Sequence, residues 1–331
     1  MRFLRLLIIM CFLCNNILHC QPAYNFKITV KSSDTNVGTL HIGEAYYLAQ
    51  YEAALFKSDS ASYIGGLYKF ENKILYPTAI RVFNLNGFNQ LIFIDTGLNE
   101  LEIVVNNKAR QLKSNAKIEM EHKFFLEQMG VKHIGEQIPM QKFQAYVSQH
   151  PTSFVALYAL IDQMFNYRFS PEMRSIAENF DTTIKSTKAF SYFKEQYLDR
   201  KKFVAMNVIN EQGKSVRLNL NSGKYTLLDF WFAGCKPCYV DMQKLNQKMS
   251  RVKNKLNIIS INTDSREIFK ESKARFAKQH LSWKSYWDYD GVKSQKNISL
   301  YKYPTNLLID KDGYIVATDI DIEKLEDFIK D

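Results

Sequence analysis

The stretch that decides the fold of the C-terminal part of this chain is KYTLLDFWFAGCKPC, residues 224–238. Its first nine residues are almost continuously apolar, which predicts a strand buried on both faces of a sheet. The helix that follows carries Met242, Leu245 and Met249 on one side, at spacings of three and four. From about residue 203 onward, strands and helices alternate, and this alternation predicts an α/β domain.

Two cysteines stand where this strand passes into this helix. Cys235 is expected at the helix N-terminus, where unpaired amide groups and the positive end of the helix dipole stabilise a thiolate. The thiolate is the form that attacks a disulfide, and Cys238, one turn further on the same side, can resolve the mixed disulfide. Pro237 suits the first helical turn, and the Lys236 cation favours the thiolate further. The pattern indicates redox chemistry.

A zinc site is the main alternative, because one Cys-x-x-Cys pair can also be half of a zinc centre. A structural zinc ion needs two further Cys or His ligands, usually in a second close pair. The remaining possible ligands are three cysteines in or beside an N-terminal leader and isolated histidines of the body, namely Cys11, Cys14, Cys20, His41, His122, His133, His150 and His280. The sequence therefore predicts a redox dithiol, with no metal and no cofactor.

The dithiol region resembles the active-site segment of thioredoxins, in particular the TlpA/ResA-like branch of bacterial envelopes. The resemblance rests on two motifs in the expected order, LDFWFAGCKPC at residues 228–238 and YPTNLLIDKDG at residues 303–313. It covers residues 203–331 and implies a thioredoxin fold. It also implies that Cys235 is the attacking thiol and Cys238 the resolving one.

The same resemblance implies roles for four further residues. Asp229 matches a buried acid that relays a proton to and from the resolving thiol, and burial on an apolar strand should raise the pKa of its carboxyl group. The alternative for Asp229 is a strand-end residue that points to solvent. Pro304 matches a cis-proline that faces the disulfide and leaves the Tyr303 backbone free to pair with an extended substrate. Trp231 matches an aromatic ring packed under the active site, and we group it with Tyr303 and Pro304 as substrate-binding.

Two residues depart from the pattern of the relatives. Gly234 stands where many of them carry an aromatic residue before the first cysteine, which leaves that face flatter and more open. Asp241 stands where envelope relatives often carry Glu, and its shorter side chain leaves two interpretations open. It either serves the site or is a solvated helix residue.

The chain ahead of the α/β region is expected to form two more parts. Residues 21–115 contain short alternating segments separated by turns, and they predict an antiparallel β-sandwich-like domain. Residues 116–202 change to a helical period, with Phe154, Leu157 and Ile161 recurring at spacings of three and four. They predict a helical connector between the flanking domains. Both segments are loosely similar to the uncharacterised N-terminal region of many envelope thioredoxins.

The first residues predict export. Residues 1–20 contain two arginines followed by the apolar run 6–14, which suits a secretory signal peptide and is too short to span a bilayer. Residues 17–20 read ILHC, the outline of a lipobox, which would leave Cys20 as a lipid anchor. His19 departs from the small residue expected there, so a lipid-anchored and a soluble periplasmic form both stay open.

The net charge of +10 does not predict nucleic-acid binding, because the basic residues are scattered and no tract of five occurs. Together these features predict a thiol–disulfide oxidoreductase of the periplasm or cell envelope that reduces or exchanges protein disulfides, for instance during cytochrome c maturation or oxidative stress. The expected partners are disulfide-bearing envelope proteins and an upstream membrane electron donor.

Two other functions stay open at this point. Thiol peroxidases of the same superfamily place a Thr three residues before the reactive cysteine, whereas this chain has Phe232 there. A non-enzymatic binding or metal-handling protein would need a histidine near the dithiol, and His280 is the only candidate in the last domain. A peroxide assay and metal analysis distinguish these two from disulfide exchange.

Residues 21–115 contain no cysteine, so we predict that this part expressed alone has no disulfide reductase activity. An insulin-reduction assay on the fragment checks this. Measurable reduction above the buffer rate would contradict it.

Overall fold

The computed structural model describes residues 24–32, 38–44, 58–74, 76–84, 87–106, 109–114, 116–218, 220, 223–291, 300 and 302–329. The predicted signal peptide and Cys20 lie outside these residues. Within them, no helix is both long enough and apolar enough to cross a membrane. The chain divides into two compact units, Met1–Phe125 and Leu126–Asp331, and the domain limits expected from the sequence stay predictions.

The described part of the first unit contains eight strands. They are β1 (Tyr24–Ser32), β2 (Leu40–Glu44), β3 (Asp59–Ala61), β4 (Leu67–Ile74), β5 (Thr78–Phe83), β6 (Asn89–Ile94), β7 (Gly97–Asn106) and β8 (Ala109–Ser114). They form two four-stranded sheets, in the orders β4-β1-β7-β8 and β3-β2-β5-β6. Alternate residues of both sheets, such as Ile28 and Val30 of β1 and Ile80 and Val82 of β5, share one buried core, as in a sandwich.

This arrangement confirms the sandwich expected from the sequence, with one difference. Among these described strands, all pairings are antiparallel except that of β1 with β7, which is parallel. A tight hairpin can join only antiparallel strands, and a parallel pair needs a long connection. The long chain between β1 and β7 supplies that connection, and alternation within a strand carries no information about its direction.

The second unit begins within the first helix and is helical before it is α/β. The helices are α1 (Lys117–Met129), α2 (Met140–Gln149), α3 (Phe154–Asn166), α4 (Pro171–Glu178), α5 (Thr182–Lys185) and α6 (Lys188–Phe193), which continues as one π-helical turn (Lys194–Leu198). Ser170 is the N-cap residue of α4, although its hydroxyl makes no capping hydrogen bond. Ten consecutive residues of α3, Val155 to Met164, are buried, so α3 is a central helix of this unit.

The remaining elements form the predicted α/β domain. They are β9 (Lys201–Lys202), β10 (Asn207–Ile209), β11 (Ser215–Arg217), β12 (Tyr225–Trp231), α7 (Lys236–Val252), β13 (Leu256–Asn262), α8 (Phe269–Ala277), β14 (Lys284–Trp287), β15 (Thr305–Ile309), β16 (Tyr314–Thr318) and α9 (Leu325–Phe328). The eight strands form one sheet in the order β11-β10-β14-β13-β12-β15-β16-β9.

The central strands place the candidate site. β12, β13 and β14 are parallel, and β12 is buried from Thr226 to Trp231. β15 runs antiparallel to β12, with Phe230 opposite Thr305. The end of β12, the start of α7 and the start of β15 therefore meet at one edge of the sheet.

The helices α2 to α6 and their connections, called the helical segment below, contact this sheet through Phe169. Its amide donates to the Asp319 carbonyl at 2.7 Å, and its carbonyl accepts from the Asp321 amide at 3.2 Å. The Phe169 side chain is fully buried and its ring lies 6.1 Å from that of Phe328. The helical segment therefore packs against the α/β domain within the second unit.

Because the Phe169 ring is fully buried, Phe169→Ala should lower the free energy of unfolding of the second unit by about 3–5 kcal/mol. Val204→Ala, at a 65% exposed position, is the matched control and should change it by less than about 0.5 kcal/mol. Urea unfolding followed by tryptophan fluorescence measures both, since all three tryptophans lie in this unit. Equal midpoints for the two variants would contradict the packing described.

Candidate active site

The two cysteines are joined by a disulfide at the start of α7, with their Cα atoms 5.3 Å apart. Cys235 is the N-cap residue, and its sulfur accepts a hydrogen bond from the Cys238 amide at 3.2 Å. Cys235 is 3% exposed and Cys238 is fully buried, whereas the neighbouring Gly234, Lys236 and Pro237 are exposed. The surface around Cys235 is therefore open to a partner, whereas Cys238 is covered.

The loop that leads to Cys235 is held at the peptide groups of Ala233. Its amide donates to the buried Asp264 carboxylate at 2.8 Å. Its carbonyl accepts from the Tyr239 hydroxyl at 2.9 Å and from the Arg275 guanidinium at 3.3 Å. Asp264 also accepts from the Ser272 hydroxyl at 2.7 Å. Hydrogen bonds on both sides of Ala233 fix the position of the following cysteine.

The Tyr303–Pro304 peptide bond is cis and lies at the same sheet edge as the dithiol. The Tyr303 ring meets the Phe232 ring edge-on at 5.1 Å, and its hydroxyl is 2.6 Å from that of Thr263. Among the described residues, the Tyr303 backbone N–H and C=O have no hydrogen-bond partner. Tyr303 and Pro304 are half-buried, so their main chain can meet an extended peptide.

Trp231 lies beneath the active-site loop. Its ring is fully buried and stacks on Phe276 at 5.6 Å, and its Nε1 donates to the Ser285 hydroxyl at 3.2 Å. The position under the site is the expected one. The grouping of Trp231 with the substrate-binding residues has to be corrected in one respect: with no exposed surface, the ring supports the loop and does not contact a bound partner directly.

Asp229 is buried in the centre of the sheet, only 2% exposed. Ser260 of β13 donates its hydroxyl to the carboxyl group at 3.1 Å, and Trp283 donates to Ser260 at 2.9 Å. Burial first, and then the negative charge of Asp241, raise the pKa of Asp229 to about 7, against the smaller opposing effects of Ser260 and Arg168. The solvent-facing alternative for Asp229 is excluded, and the direction of the pKa is the expected one.

Asp229 belongs to β12, the strand that the Cys238 sulfur contacts. The Cys238 sulfur is 3.9 Å from the carbonyl oxygen of Phe230, the residue that follows Asp229 on β12. A carboxyl group whose pKa is raised to about 7 therefore lies on the strand that the buried sulfur contacts. Such a group can both accept and return a proton at physiological pH.

Asp241 is not a solvated helix residue. Its side chain is 15% exposed and forms an ion pair with Arg168, which comes from the segment between α3 and α4. Gly234 is exposed, and a Cβ at this position would come within 3.0 Å of the Phe232 ring. A larger residue at 234 would have to displace that ring.

The family model and the curated relatives match only part of this chain. Residues 200–318 match the family described as AhpC/TSA. The thiol-disulfide oxidoreductase ResA of a Bacillus cereus strain is 35% identical over 111 residues, which are 33% of this chain and 62% of that protein. ResA of Bacillus thuringiensis (strain Al Hakam) is 34% identical over 131 residues, 37% of this chain and 72% of that protein.

The chain belongs to the ResA family of thiol–disulfide oxidoreductases. A solved structure, the thioredoxin domain of a thiol-disulfide oxidoreductase from Bacteroides vulgatus, is 29% identical, covers 39% of this chain and 96% of that one, and has a TM-score of 0.35. A thiol:disulfide interchange protein from a Bacteroides species is 27% identical, covers 40% and 91%, and has a TM-score of 0.36.

The ResA resemblance covers only the α/β part of this chain. The chain spans 62% and 72% of the length of the two curated relatives, so the activity, substrates and partners of the whole protein are proposals. In the described part of the chain, no group of three or more His, Cys, Asp or Glu side chains is arranged to hold a metal ion.

Sequence reasoning missed several residues of this ResA-type site. Ser260 and Asp264 lie in and just after β13, and the only signal in the sequence is that polar residues occur at the end of a parallel strand beside β12. Arg168 lies 73 residues before Asp241, and nothing in the local sequence connects the two. The structure places the predicted site residues on neighbouring elements, namely β12, the start of α7 and the loop before β15, and their roles stay predictions.

The buried carboxyl group of Asp229 generates a prediction about stability. Its pKa of about 7 lies above the ordinary value of 3.8, so the folded protein binds more protons than the unfolded chain between these two values. Stability due to this group is therefore full below about pH 4 and is lost as the pH rises towards 7. A difference of about three pKa units corresponds to at most about 4 kcal/mol.

Asp229→Asn should accordingly be more stable than the parent protein by a few kcal/mol at pH 8, because a neutral amide costs less to bury than a carboxylate. The difference should shrink towards pH 4. Urea unfolding of the oxidised proteins from pH 4 to pH 8 measures it, with the exposed Asp327→Asn as the control that should show no such trend. A stability difference independent of pH would mean that the pKa of Asp229 is the same in the folded and the unfolded protein, which would contradict the raised value.

Proposed function

We propose that this protein reduces or exchanges disulfides of other proteins in the cell envelope, through the dithiol of Cys235 and Cys238. The observation that carries the proposal is the position of Cys235 as the N-cap residue of α7, beside exposed neighbours, while Cys238 is fully buried. A helix N-terminus stabilises the attacking thiolate, and the covered second sulfur is reserved for resolution.

The reaction proceeds in two exchanges. In the reduced enzyme, the Cys235 thiolate attacks one sulfur of the substrate disulfide, forms a mixed disulfide, and releases the other substrate sulfur, which takes up a proton. Cys238 then loses its proton to the Asp229 carboxylate and attacks the Cys235 sulfur. The intramolecular disulfide forms and the second substrate thiol leaves. Two electrons pass from the dithiol to the substrate.

The substrate meets the protein at the edge formed by Tyr303 and Pro304. An extended peptide can pair with the Tyr303 backbone, which places its disulfide against Cys235. Val240, 55% exposed, and the exposed Pro237 add apolar surface next to the dithiol. Main-chain pairing does not depend on side-chain sequence, so this edge suits a range of protein disulfides.

The setting of this reaction is inferred from the leader and the relatives. The predicted signal peptide places the protein in the periplasm or cell envelope, with Cys20 as the lipid anchor if the lipobox is used. The partners would be disulfide-bearing envelope proteins, among them those of cytochrome c maturation. The enzyme disulfide formed in each cycle requires an upstream membrane electron donor to reduce it again.

A thiol peroxidase is the second candidate, because residues 200–318 match the AhpC/TSA family. Such an enzyme would need a hydroxyl group three residues before Cys235. Phe232 fills that position, and its ring packs against Tyr303, so no side-chain donor is supplied there for a peroxide oxygen. Disulfide exchange is therefore the better fit to the site.

The proposal predicts different outcomes for the two cysteines. Cys235→Ser should abolish insulin reduction, because the remaining sulfur is buried. Cys238→Ser should still attack but not release, so it should accumulate as a mixed disulfide that non-reducing gels and mass spectrometry detect. A hydrogen-peroxide consumption assay on the parent protein should give no turnover.

Appreciable turnover by Cys235→Ser would show that the nucleophile is wrongly assigned. Rapid peroxide consumption that depends on Cys235 would favour the peroxidase instead. The proteins trapped by Cys238→Ser from an envelope extract would identify the natural partners.

A further inference from the structure

Arg168 connects the helical segment with the active-site helix. It follows α3 and lies outside residues 203–331, over which the chain resembles thioredoxins. Its guanidinium donates to the carboxylate of Asp241 on α7 and, through its other terminal nitrogen, to that of Asp319 at 2.9 Å. One arginine therefore joins two carboxylates of the α/β domain, in the forked geometry that suits this side chain.

The position of Arg168 is held by its backbone. Its φ is 34°, in the left-handed region that is unfavourable for residues other than glycine. The next residue, Phe169, is bonded in both directions to the backbone around Ile320, and its side chain is fully buried. The unfavourable conformation is maintained because the adjoining residue is anchored, and it directs the guanidinium to Asp241.

Lys302 extends the same group of charges to the cis-proline loop. Its ammonium donates to the Phe165 and Met164 carbonyls, at 2.6 and 3.1 Å, near the end of α3. It also pairs with the Asp319 carboxylate at 2.6 Å. Asp319 is 2% exposed, and a charge buried to this extent requires such partners. Alternating charges thus run from Lys302 through Asp319 and Arg168 to Asp241.

We propose that Arg168 is a positioning residue of the dithiol site: its two ion pairs fix the Asp241 carboxylate on the active-site helix and connect that helix with Asp319. The helical segment would then be a functional part of the site as well as a support for the sheet. The consequence for turnover rests on the proposed function, in which Asp229 takes the proton of Cys238.

The charges around Asp229 define the expected effects. Of the charged groups, Asp241 raises the pKa of Asp229 and Arg168 lowers it; the Cys238 sulfur contacts the backbone of the same strand. Burial raises the pKa of Asp241 itself, Arg168 and Lys244 lower it, and Asp319 raises it. Because Arg168 and Asp241 act on Asp229 with opposite signs, their separate removal should shift its pKa in opposite directions.

Arg168→Gln should therefore raise the pKa of Asp229, and Asp241→Asn should lower it, each by less than the roughly one to three units of a directly contacting charge. The double variant removes both charges and should have a pKa between those of the two single variants, because the two effects have opposite signs. The control is Arg174→Gln. Arg174 also lies in the helical segment, but it donates to the carbonyls of Leu198 and Val316, so its loss should leave the pKa of Asp229 unchanged.

The measurement is a carbon-13 NMR titration of the Asp229 carboxyl group in the full-length oxidised protein. The disulfide form has no active-site thiol to titrate, and Asp229→Asn assigns the resonance by removing it. No substrate is needed, so the result is independent of whether the proposed function is correct. A second measurement, the pH profile of the resolving step in the reduced protein, should shift in parallel if that function holds.

A structural role alone would not produce opposite shifts of the Asp229 pKa in the two single variants and an intermediate pKa in the double variant. Unchanged pKa values in both single variants, or shifts of the same sign, would overturn the proposal. If Arg168→Gln does not fold, Asp241→Asn and Arg168→Lys still decide, since the first should lower the pKa of Asp229 and the second should keep it near the parent value. If the pKa of Asp229 is lowered in neither of these two variants, or raised in both of them, the proposal is equally overturned.

Discussion

Burying the carboxyl group of Asp229 in the middle of β12 is the constraint on which the rest of the α/β unit depends. An ionised carboxylate is unfavourable in such an environment, so the group is supplied with one hydroxyl donor, Ser260, and is otherwise left to take up a proton. The strand has to be central for the group to be buried, and it lies between β13, which is parallel to it, and β15, which is antiparallel. The dithiol at the start of α7 lies at the sheet edge where β12 ends.

The active-site loop is rigid because its hydrogen bonds come from three different elements. Asp264 follows β13, Tyr239 belongs to α7 and Arg275 to α8, and all three bond to the peptide groups of Ala233. A dithiol that must form and break a disulfide between fixed positions benefits from such support, because each exchange requires the sulfurs in line. Positioning of this kind accounts for much of the rate in enzymes that bring two groups together.

The helical segment extends the site beyond the thioredoxin-like part. Phe169 adds a backbone bridge to the α/β domain, and Lys302 binds the carbonyl end of α3 two residues before the cis-proline. A helix C-terminus carries partial negative charge, so a lysine at this point is favourable for both elements. The segment therefore contacts the active-site helix and the cis-proline loop together.

Much of the fold could be predicted from periodicity. The alternating segments near Ile28 and Val82 and the helical stripe of α7 appear where the sequence indicates them, because burial of apolar side chains follows the local geometry of strand and helix. The parallel pairing of β1 with β7 could not be predicted, since alternation is the same in either direction. The short strands β9 and β11 were not predicted either, since segments of this length contain no period.

The sequence by itself determined the chemistry of the dithiol, because the spacing of Cys235 and Cys238 and the helix that begins between them are local properties of the chain. It also indicated Asp229, because apolar neighbours on both sides along one strand imply burial. Only the tertiary structure decided what surrounds these groups. Arg168, Asp264 and Lys302 reach the site from distant parts of the chain, and the electrostatic effect of one charge on another depends on their separation in space, which no local pattern encodes.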